Sequence, residues 1–260
     1  MFNHLLVHRE GPVEHVTLNR PDVRNAFNEA LITELTSWAA AVREDSAVRV
    51  VVLSGAGKSF CAGADISWMA RTVAFSEDEN IRDAAAASQM FGALNTLPVP
   101  VIGRIHGAAL GGGVGLAAVC DIVVAEEGAI FGFTEVKLGI LPAVISPFVL
   151  EKIGRSAARE LFLTGARFSA RRAREIGLIH EVVSPSDLDT TVRRYVDDCL
   201  TGGRDAMAAA KALIAQVWSQ PFDAAVPITA AALARRRVSA EGQEGLRAFL
   251  EKRKPSWNRS

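Results

Sequence analysis

The fold is decided by two glycine-rich stretches, FCAGADI at residues 60–66 and HGAALGGG at residues 106–113. Each follows an apolar run that is typical of a β-strand, and small side chains leave its backbone N–H groups uncovered, so a ligand can approach closely. Two N–H groups aimed at one atom form an oxyanion hole, which stabilises the charge that develops in acyl chemistry. Together with FGFTE at residues 131–135, the two stretches are far more specific than a single glycine cluster.

Alternating strand-like and helix-like segments predict an α/β fold with β-α crossover connections. The β-branched run at residues 48–53 is typical of a strand buried on both faces of a parallel sheet, whereas the alternation at residues 13–18 indicates an edge-like strand. Residues 71–83 are polar and charged, which predicts a mobile loop or lid, with a surface helix as the alternative. Further strands are predicted at residues 101–105 and 122–125, and helices at residues 25–43, 84–94 and 113–119.

From residue 146 onward the pattern is mostly helical, and beyond about residue 201 no strand signal remains. We therefore predict an α/β core domain over residues 1–200 and a helical C-terminal subdomain over residues 201–260.

The composition is that of an ordinary globular protein, with 260 residues, 49% hydrophobic residues, 22% charged residues and a formal net charge of zero. This balance does not support nucleic-acid binding, and no segment is typical of a signal peptide or a membrane span. Cys61, Cys120 and Cys199 have neither metal-ligand nor disulfide spacing, and the first two are expected to be buried, unreactive thiols. The prediction is a cytoplasmic protein without a metal ion.

The three stretches resemble the crotonase superfamily, also called the enoyl-CoA hydratase/isomerase family. The resemblance covers nearly the whole chain, from TLNRP at residues 17–21 to EKR at residues 251–253. It implies a crotonase-like fold of repeated β-β-α units with a helical C-terminal subdomain. It also implies an acyl-CoA substrate, no separate cofactor, and assembly as a homotrimer or homohexamer.

The resemblance identifies Ala64 and Gly112 as the oxyanion-hole residues and Glu135 as the catalytic acid/base. Gly112 falls at the start of a predicted helix, whose N-terminus adds partial positive charge. Glu135 follows a strand in an apolar context, where desolvation raises the pKa of a carboxyl group toward the range useful for proton transfer at carbon. A surface glutamate paired with Lys137 is the alternative.

One departure from the family pattern concerns Gly115, because the usual enoyl-CoA hydratases carry a second glutamate at the matching position. Hydration is easily shared by two carboxylates, whereas moving a double bond needs only one base, so this residue favours a 3-enoyl to 2-enoyl-CoA isomerase. ISWM at residues 66–69 and LGILPAVISPFVL at residues 138–150 instead resemble bacterial methylglutaconyl-CoA hydratases, a branch that also carries glycine at this position.

The leading hypothesis is therefore hydration of a branched 2-enoyl-CoA, with 3-methylglutaconyl-CoA of leucine breakdown as the suggested substrate. The isomerase is the alternative, and a non-catalytic acyl-CoA-binding protein is a third reading that retention of Glu135 argues against.

Substrate and CoA contacts are predicted at a wider set of positions. Arg24 could meet a phosphate, with a plain surface arginine equally favoured, and Asp65 is more typical of a helix cap than of a catalyst. Core or lid packing is the alternative for Trp68, and His106 is given no role. In the family, the C-terminal helix can reach a neighbouring subunit's CoA. The full set is Arg24, Ala62, Ala64, Asp65, Ile66, Trp68, Gly112, Gly115, Phe249 and Lys252.

Overall fold

A computed structural model describes residues 2–258 of the chain. Its centre is a six-stranded sheet in which neighbouring strands are parallel, apart from the first strand, which runs antiparallel to the second. In order across the sheet, the strands are β1 (Leu5–Glu10), β2 (Val13–Leu18), β3 (Val50–Gly55), β4 (Val101–Ile105), β6 (Ile122–Glu126) and β9 (Glu181–Val183).

A second, three-stranded sheet positions the site, and its strands are β5 (Ala108–Leu110), β7 (Ile130–Gly132) and β8 (Arg167–Ser169). β5 is parallel to β7, with Leu110 opposite Gly132. Parallel strands end at the same edge of a sheet, so the glycines after β5 lie beside the residues after β7. This pairing brings the second glycine-rich stretch next to Glu135.

Ten α-helices occur in the part of the chain that the structure describes. Their bounds are α1 Glu29–Glu44, α2 Ile66–Thr72, α3 Glu77–Asn95, α4 Gly112–Val119, α5 Ser146–Thr164, α6 Ala170–Glu175, α7 Leu188–Thr201, α8 Arg204–Val217, α9 Phe222–Val238 and α10 Ala240–Leu250. Of these helices, α1, α4, α6 and α7 contact strands of the larger sheet.

β3 shows why the sheet is covered on both faces. Val51 and Leu53 are buried in the larger apolar core, together with side chains of α1, α3, α4 and α5. Val50 and Val52 are buried in a smaller core on the opposite face, which α7 closes. The uninterrupted apolar run at residues 50–53 is typical of a strand buried on both faces, so the α/β prediction is confirmed.

α1 begins four residues later than predicted. The backbone of Arg24 and Asn25 is left-handed, with φ angles of 53° and 57°, so neither residue can start a right-handed helix. Asn28 is the N-cap, and its side chain accepts a hydrogen bond of 2.9 Å from the Leu31 N–H.

α3 begins earlier than the predicted residue 84, because Ser76 and Glu79 form a capping box at its start. Residues 77–83 are therefore the surface helix that was the alternative to a mobile loop, while residues 71 and 72 end α2. The Ser-x-x-Glu spacing is the signal that predicts this start.

One prediction about a strand is wrong, and two short strands were not predicted. β2 is not an edge strand, because β1 pairs along its outer side. The mostly helical interpretation after residue 146 misses β8 and β9, which have three residues each and are too short to show alternation. After β9, the described residues contain helices and no strand. The domain boundary at residue 201 stays a prediction.

The cysteines are free thiols. Burial raises the pKa of both Cys61 and Cys120 to about 12, so these two thiols are unreactive at neutral pH, as predicted. Among residues 2–258, no helix is long and apolar enough to cross a membrane.

Candidate active site

The two glycine-rich stretches lie side by side at the end of the smaller sheet. The Cys61 N–H donates to the Ala108 carbonyl and the Leu110 N–H donates to the Cys61 carbonyl, both at 3.0 Å. Gly63 and Gly111 approach so closely that a Cβ atom built on either would lie 3.9 Å from the Cα atom of the other. The predicted convergence of the two stretches is therefore present in the fold.

The backbone N–H groups of Ala64 and Gly112 are free to bind a ligand. Neither donates a hydrogen bond to another group among residues 2–258. Ala64 is held in place because Phe27 bonds to the residues on either side of it, at 2.7 Å to the Gly63 carbonyl and 2.8 Å from the Asp65 N–H. Gly112 is the first residue of α4, where an N–H group has no acceptor within the helix and the helix dipole is positive. Both groups suit an anionic oxygen.

Gly111 allows the Glu135 carboxylate to reach this point. Its backbone has φ 50° and ψ −119°, a left-handed conformation that other residues rarely adopt. A Cβ atom here would lie 3.2 Å from Oε1 of Glu135. A glycine at this position thus satisfies the backbone and leaves the carboxylate oxygen uncrowded.

Glu135 begins a short 3-10 turn, Glu135–Leu138, just after β7. Its Oε2 atom is buried and has no hydrogen-bond partner within residues 2–258. Desolvation by burial raises the pKa of this carboxyl group above its ordinary value. A buried carboxylate with an unpartnered oxygen and a raised pKa is typical of a group that exchanges protons with a bound substrate.

Glu135 opens into a cavity of about 170 Å³, which we call the Glu135 cavity. Its other lining residues are apolar, so within the described chain Glu135 is its only titratable group. The lining residues are Phe27, Ile32, Ala64, Trp68, Ala87, Met90, Phe91, Gly112, Glu135, Ile140, Leu141, Pro142, Ala143, Val144 and Ile145.

Gly115 is not among the residues that line the Glu135 cavity, and its predicted contact with the substrate stays a prediction. It is buried in α4, one turn beyond Gly112. A Cβ atom at this position would lie 2.3 Å from Cγ2 of Ile145 and 2.9 Å from Cε1 of Phe91. These two apolar side chains occupy the space that a second carboxylate would need.

α2 and its N-cap residue, Asp65, contain three of the predicted residues. The Asp65 carboxylate accepts a hydrogen bond of 2.8 Å from the Ser67 N–H, which confirms the helix cap, and pairs with Arg20 at 2.7 Å. Burial alone would raise the pKa of Asp65, but Arg20 and the backbone N–H groups outweigh it and hold this pKa below its usual value. Trp68 lines the Glu135 cavity, whereas the Ile66 side chain is 80% exposed.

The remaining predicted residues lie outside the cavity. The Ala62 N–H donates to the Arg24 carbonyl at 2.9 Å, which places the exposed Arg24 beside the first glycine-rich stretch. Phe249, 81% exposed, lies on α10, and Lys252 follows that helix. His106 is a loop histidine whose Nε2 atom is 2.9 Å from the Gly57 carbonyl oxygen.

Several residues of the site were not predicted from the sequence. Met90 and Phe91 close one side of the Glu135 cavity, and the apolar spacing of Ala87, Met90, Phe91 and Leu94 along α3 is the signal that could have found them. Asp83, also on α3, lies near the Trp68 indole. Burial raises the pKa of Asp83, and the nearby Trp68 indole N–H partly offsets this rise. Within residues 2–258, that N–H is too poorly aligned to form a hydrogen bond with any group.

Comparison with known proteins agrees with this geometry. The sequence model of the Enoyl-CoA hydratase/isomerase family matches residues 8–260. The chain is 34% identical to the short-chain-enoyl-CoA hydratase of Clostridium acetobutylicum, over 97% of both chains. It is 32% identical to the 2,3-dehydroadipyl-CoA hydratase of Escherichia coli, over 98% of this chain and 99% of the other. The crystal structure of an enoyl-CoA hydratase from Shewanella pealeana superimposes with a TM-score of 0.96 at 37% identity, over 99% of this chain and 97% of that one.

Proposed function

The chain belongs to the enoyl-CoA hydratase/isomerase family of enzymes, within the crotonase superfamily, and from this premise we propose that it adds water to a 2-enoyl-CoA thioester. The observation that carries the proposal is the desolvated Glu135 carboxylate beside two N–H groups that have no acceptor in the described chain. A carboxylate and an oxyanion hole on one small cavity are what this addition needs.

The reaction runs through an enolate of the thioester. Glu135 takes a proton from water while the water oxygen forms a bond to C3 of the substrate, and the electron pair of the C2–C3 double bond moves toward the thioester oxygen. The N–H groups of Ala64 and Gly112 stabilise the oxygen as it becomes negative, and one such donor typically contributes about 3 kcal/mol to the transition state. Glu135 then returns the proton to C2, so it ends the cycle as it began.

The alternative is the isomerase, which one observation favours. Glu135 is the only titratable group in the described lining of the Glu135 cavity, and a single base suffices to move a proton between C2 and C4. Hydration is preferred because matching relatives are named as hydratases. If the enzyme is a hydratase, the Glu135 carboxylate performs both proton transfers.

The acyl group is the part of the proposal on which the cavity bears most directly. The 3-methylglutaconyl group suggested by the sequence ends in a carboxylate, and burying a carboxylate is costly unless a cation or several N–H groups bind it. No lysine or arginine occurs in the described lining, and Asp83 lies near the Trp68 wall. We therefore propose an uncharged, short 2-enoyl group as the preferred substrate.

Isotope labelling tests the reaction. Crotonyl-CoA incubated with the enzyme in oxygen-18 water should yield a 3-hydroxyacyl-CoA that carries the label, and 3-methylglutaconyl-CoA should react at least tenfold more slowly. Mass spectrometry measures both. No labelled product from either thioester, together with conversion of a 3-enoyl-CoA to its 2-enoyl isomer, would replace hydration by isomerisation. Faster reaction of 3-methylglutaconyl-CoA would restore the substrate that the sequence suggests.

The pH dependence of kcat/KM tests the state of Glu135. A general base must be ionised, so the rate should fall as the pH falls through its pKa. Because burial raises that pKa, the acid limb should have its midpoint above the range of an ordinary glutamate. The matched control is Glu127→Gln, which alters an exposed glutamate. At constant ionic strength, its pH profile should have the same midpoint as that of wild type. An acid limb at the ordinary glutamate value would contradict the role given to burial.

Self-association is also part of the proposal. We propose a homotrimer or homohexamer, supported by large apolar side chains that α8, α9 and α10 leave exposed. Trp218 after α8, Phe222 on α9 and Phe249 on α10 are 73%, 81% and 81% exposed. An apolar surface of this kind typically marks a protein interface. The cytoplasmic location and the contact of Phe249 and Lys252 with a neighbouring subunit's CoA stay predictions.

A further inference from the structure

An aromatic pair separates the Glu135 cavity from a larger cavity behind it. Phe91 lines the Glu135 cavity, and Phe148 lines the second cavity, which has a volume of about 480 Å³ and which we call the outer cleft. The two ring centroids are 6.1 Å apart, and the ring planes are inclined by 43°. Each ring lines only one of the two cavities, so we place the aromatic pair between them.

α4 gives the distance between the two spaces. Gly112, at its first position, lines the Glu135 cavity, while Ala118 and Val119, at its end, line the outer cleft. A helix rises about 1.5 Å per residue, so these positions are about 10 Å apart along the axis. The two cavities are therefore about 10 Å apart along α4.

The apolar part of the outer cleft's lining suits a hydrocarbon chain. Apolar side chains of Leu97, Val119 and Ile214 line it. Its two lysines are already engaged, since Lys152 Nζ donates to the Cys120 carbonyl and Lys211 Nζ pairs with Asp121, both at 2.6 Å. A chain that entered the cleft would bury apolar surface there without having to separate these charges.

We propose that Phe91 and Phe148 form the stop that limits the length of the acyl chain. This inference rests on the proposed function, because it places the acyl group of a CoA thioester in the Glu135 cavity. A volume of about 170 Å³ holds roughly five or six groups of the size of a water molecule, which corresponds to a short chain. Opening the aromatic pair would join the cavity to the outer cleft and admit longer chains.

Truncation of Phe148 tests the stop through turnover. We expect kcat/KM of the wild-type enzyme to fall steeply between six-carbon and ten-carbon 2-enoyl-CoA substrates. In Phe148→Ala, the ratio of kcat/KM for the ten-carbon substrate to that for crotonyl-CoA should rise at least tenfold. The matched control is Phe162→Ala, which removes a ring beyond the break at Gly154 in α5, where it packs on Phe133 with ring centroids 4.8 Å apart and lines neither cavity. Its ratio should stay within twofold of wild type.

Binding of saturated thioesters separates this inference from the proposed function, because butyryl-CoA and decanoyl-CoA can be neither hydrated nor isomerised. By titration calorimetry, wild type should bind decanoyl-CoA no more tightly than hexanoyl-CoA. The affinity of Phe148→Ala for decanoyl-CoA should be at least tenfold higher than that of wild type. Burial of each additional CH₂ group can raise the affinity by about fourfold, and this sets the upper limit of the gain. If the binding affinities follow this dependence on chain length but wild type hydrates no 2-enoyl-CoA, the proposed function would be overturned and the chain-length stop would stand.

The stop itself would be overturned if wild type already bound decanoyl-CoA more tightly than hexanoyl-CoA, or if the truncation left the chain-length ratio unchanged. Phe91 is only 2% exposed, and its truncation to alanine risks unfolding, so Phe91→Leu is the second variant. It should shift the same ratio in the same direction as Phe148→Ala, by a smaller factor. An unchanged ratio in both variants would exclude the aromatic pair as the determinant.

Discussion

Replacement of Glu135 by glutamine should lower kcat for the hydration of crotonyl-CoA by about 10²- to 10⁴-fold, the usual contribution of a positioned acid/base. Glutamine keeps the shape of the side chain and cannot take a proton from water. The loss should be large because the described lining of the Glu135 cavity offers no second titratable group to replace it. Steady-state kinetics in a coupled or direct absorbance assay measures the effect.

Two controls make this result interpretable. Glu127→Gln makes the same chemical change at an exposed glutamate and should leave kcat within twofold of wild type. Butyryl-CoA should bind to Glu135→Gln nearly as tightly as to wild type, because the two N–H groups proposed to bind the thioester oxygen belong to the backbone of Ala64 and Gly112, which the substitution does not alter. Unchanged turnover in Glu135→Gln would assign the chemistry to another group, and unchanged binding without activity in any form of the protein would favour a non-catalytic acyl-CoA-binding protein.

The same substitution should stabilise the fold at neutral pH. The pKa of Glu135 is raised in the folded state, so the folded protein binds this proton more tightly than the unfolded chain does. That contribution favours the folded state at low pH and is lost as the pH rises through the folded-state pKa. Glu135→Gln removes the cost of a buried charge, so its Tm should exceed that of wild type at pH 7, and the difference should shrink below the ordinary glutamate pKa. Activity and stability therefore make opposite demands on this residue.

Elements whose own residues carry an apolar pattern were predictable from the sequence, and boundaries that depend on turns or distant contacts were not. β4 was predicted residue for residue, because its apolar run carries enough pattern. α1 was predicted too early because the left-handed backbone of Arg24 and Asn25 depends on contacts such as the Asn25 amide donating to the Ser59 carbonyl, 34 residues away. Such tertiary contacts leave no periodic signal.

The convergence of the two glycine-rich stretches was predictable for a different reason, since close backbone approach requires small residues, whereas the role of Glu135 was predicted from the family resemblance. The walls of the Glu135 cavity were not predictable. Phe91 and Ile145 reach it from α3 and from the loop before α5, and each looks like an ordinary core residue in its own segment. Only the fold shows that the two side chains meet in front of Gly115 and replace a carboxylate by an apolar wall.

The packing of Ile145 and Phe91 against Gly115 predicts a large effect of substitution at this glycine. Gly115→Ala should destabilise the protein by about 1–3 kcal/mol, the usual cost of overpacking a core. The added Cβ atom would lie 2.3 Å from Cγ2 of Ile145, and Ile145 is 1% exposed, so the neighbour has little room to move. For a chain of this size, the expected loss is roughly 2–10 °C in Tm, measured at one fixed protein concentration.

Gly92 provides a matched control, because it is also a helical glycine but a Cβ atom added to it would have no other atom within 4 Å. Gly92→Ala should stabilise the protein by about 0.5–1 kcal/mol, since alanine loses less backbone entropy than glycine in a helix. The two variants make the same chemical change and should shift Tm in opposite directions. Equal shifts would show that helix propensity, and not the contact with Ile145, determines the effect at Gly115.

Gly115→Glu tests whether the site has room for a second carboxylate. It would place an unpaired carboxylate against Ile145 and Phe91, and a loss above about 4 kcal/mol is expected from the combined clash and desolvation. The double variant Gly115→Glu with Ile145→Ala removes the nearest atoms and should recover part of that stability, which thermal unfolding measures. Full stability and faster hydration in the single variant would mean that the site has room for a second carboxylate. The expected loss would mean that this enzyme is committed to one carboxylate by the packing around Gly115, because regaining the second requires the wall to change with it.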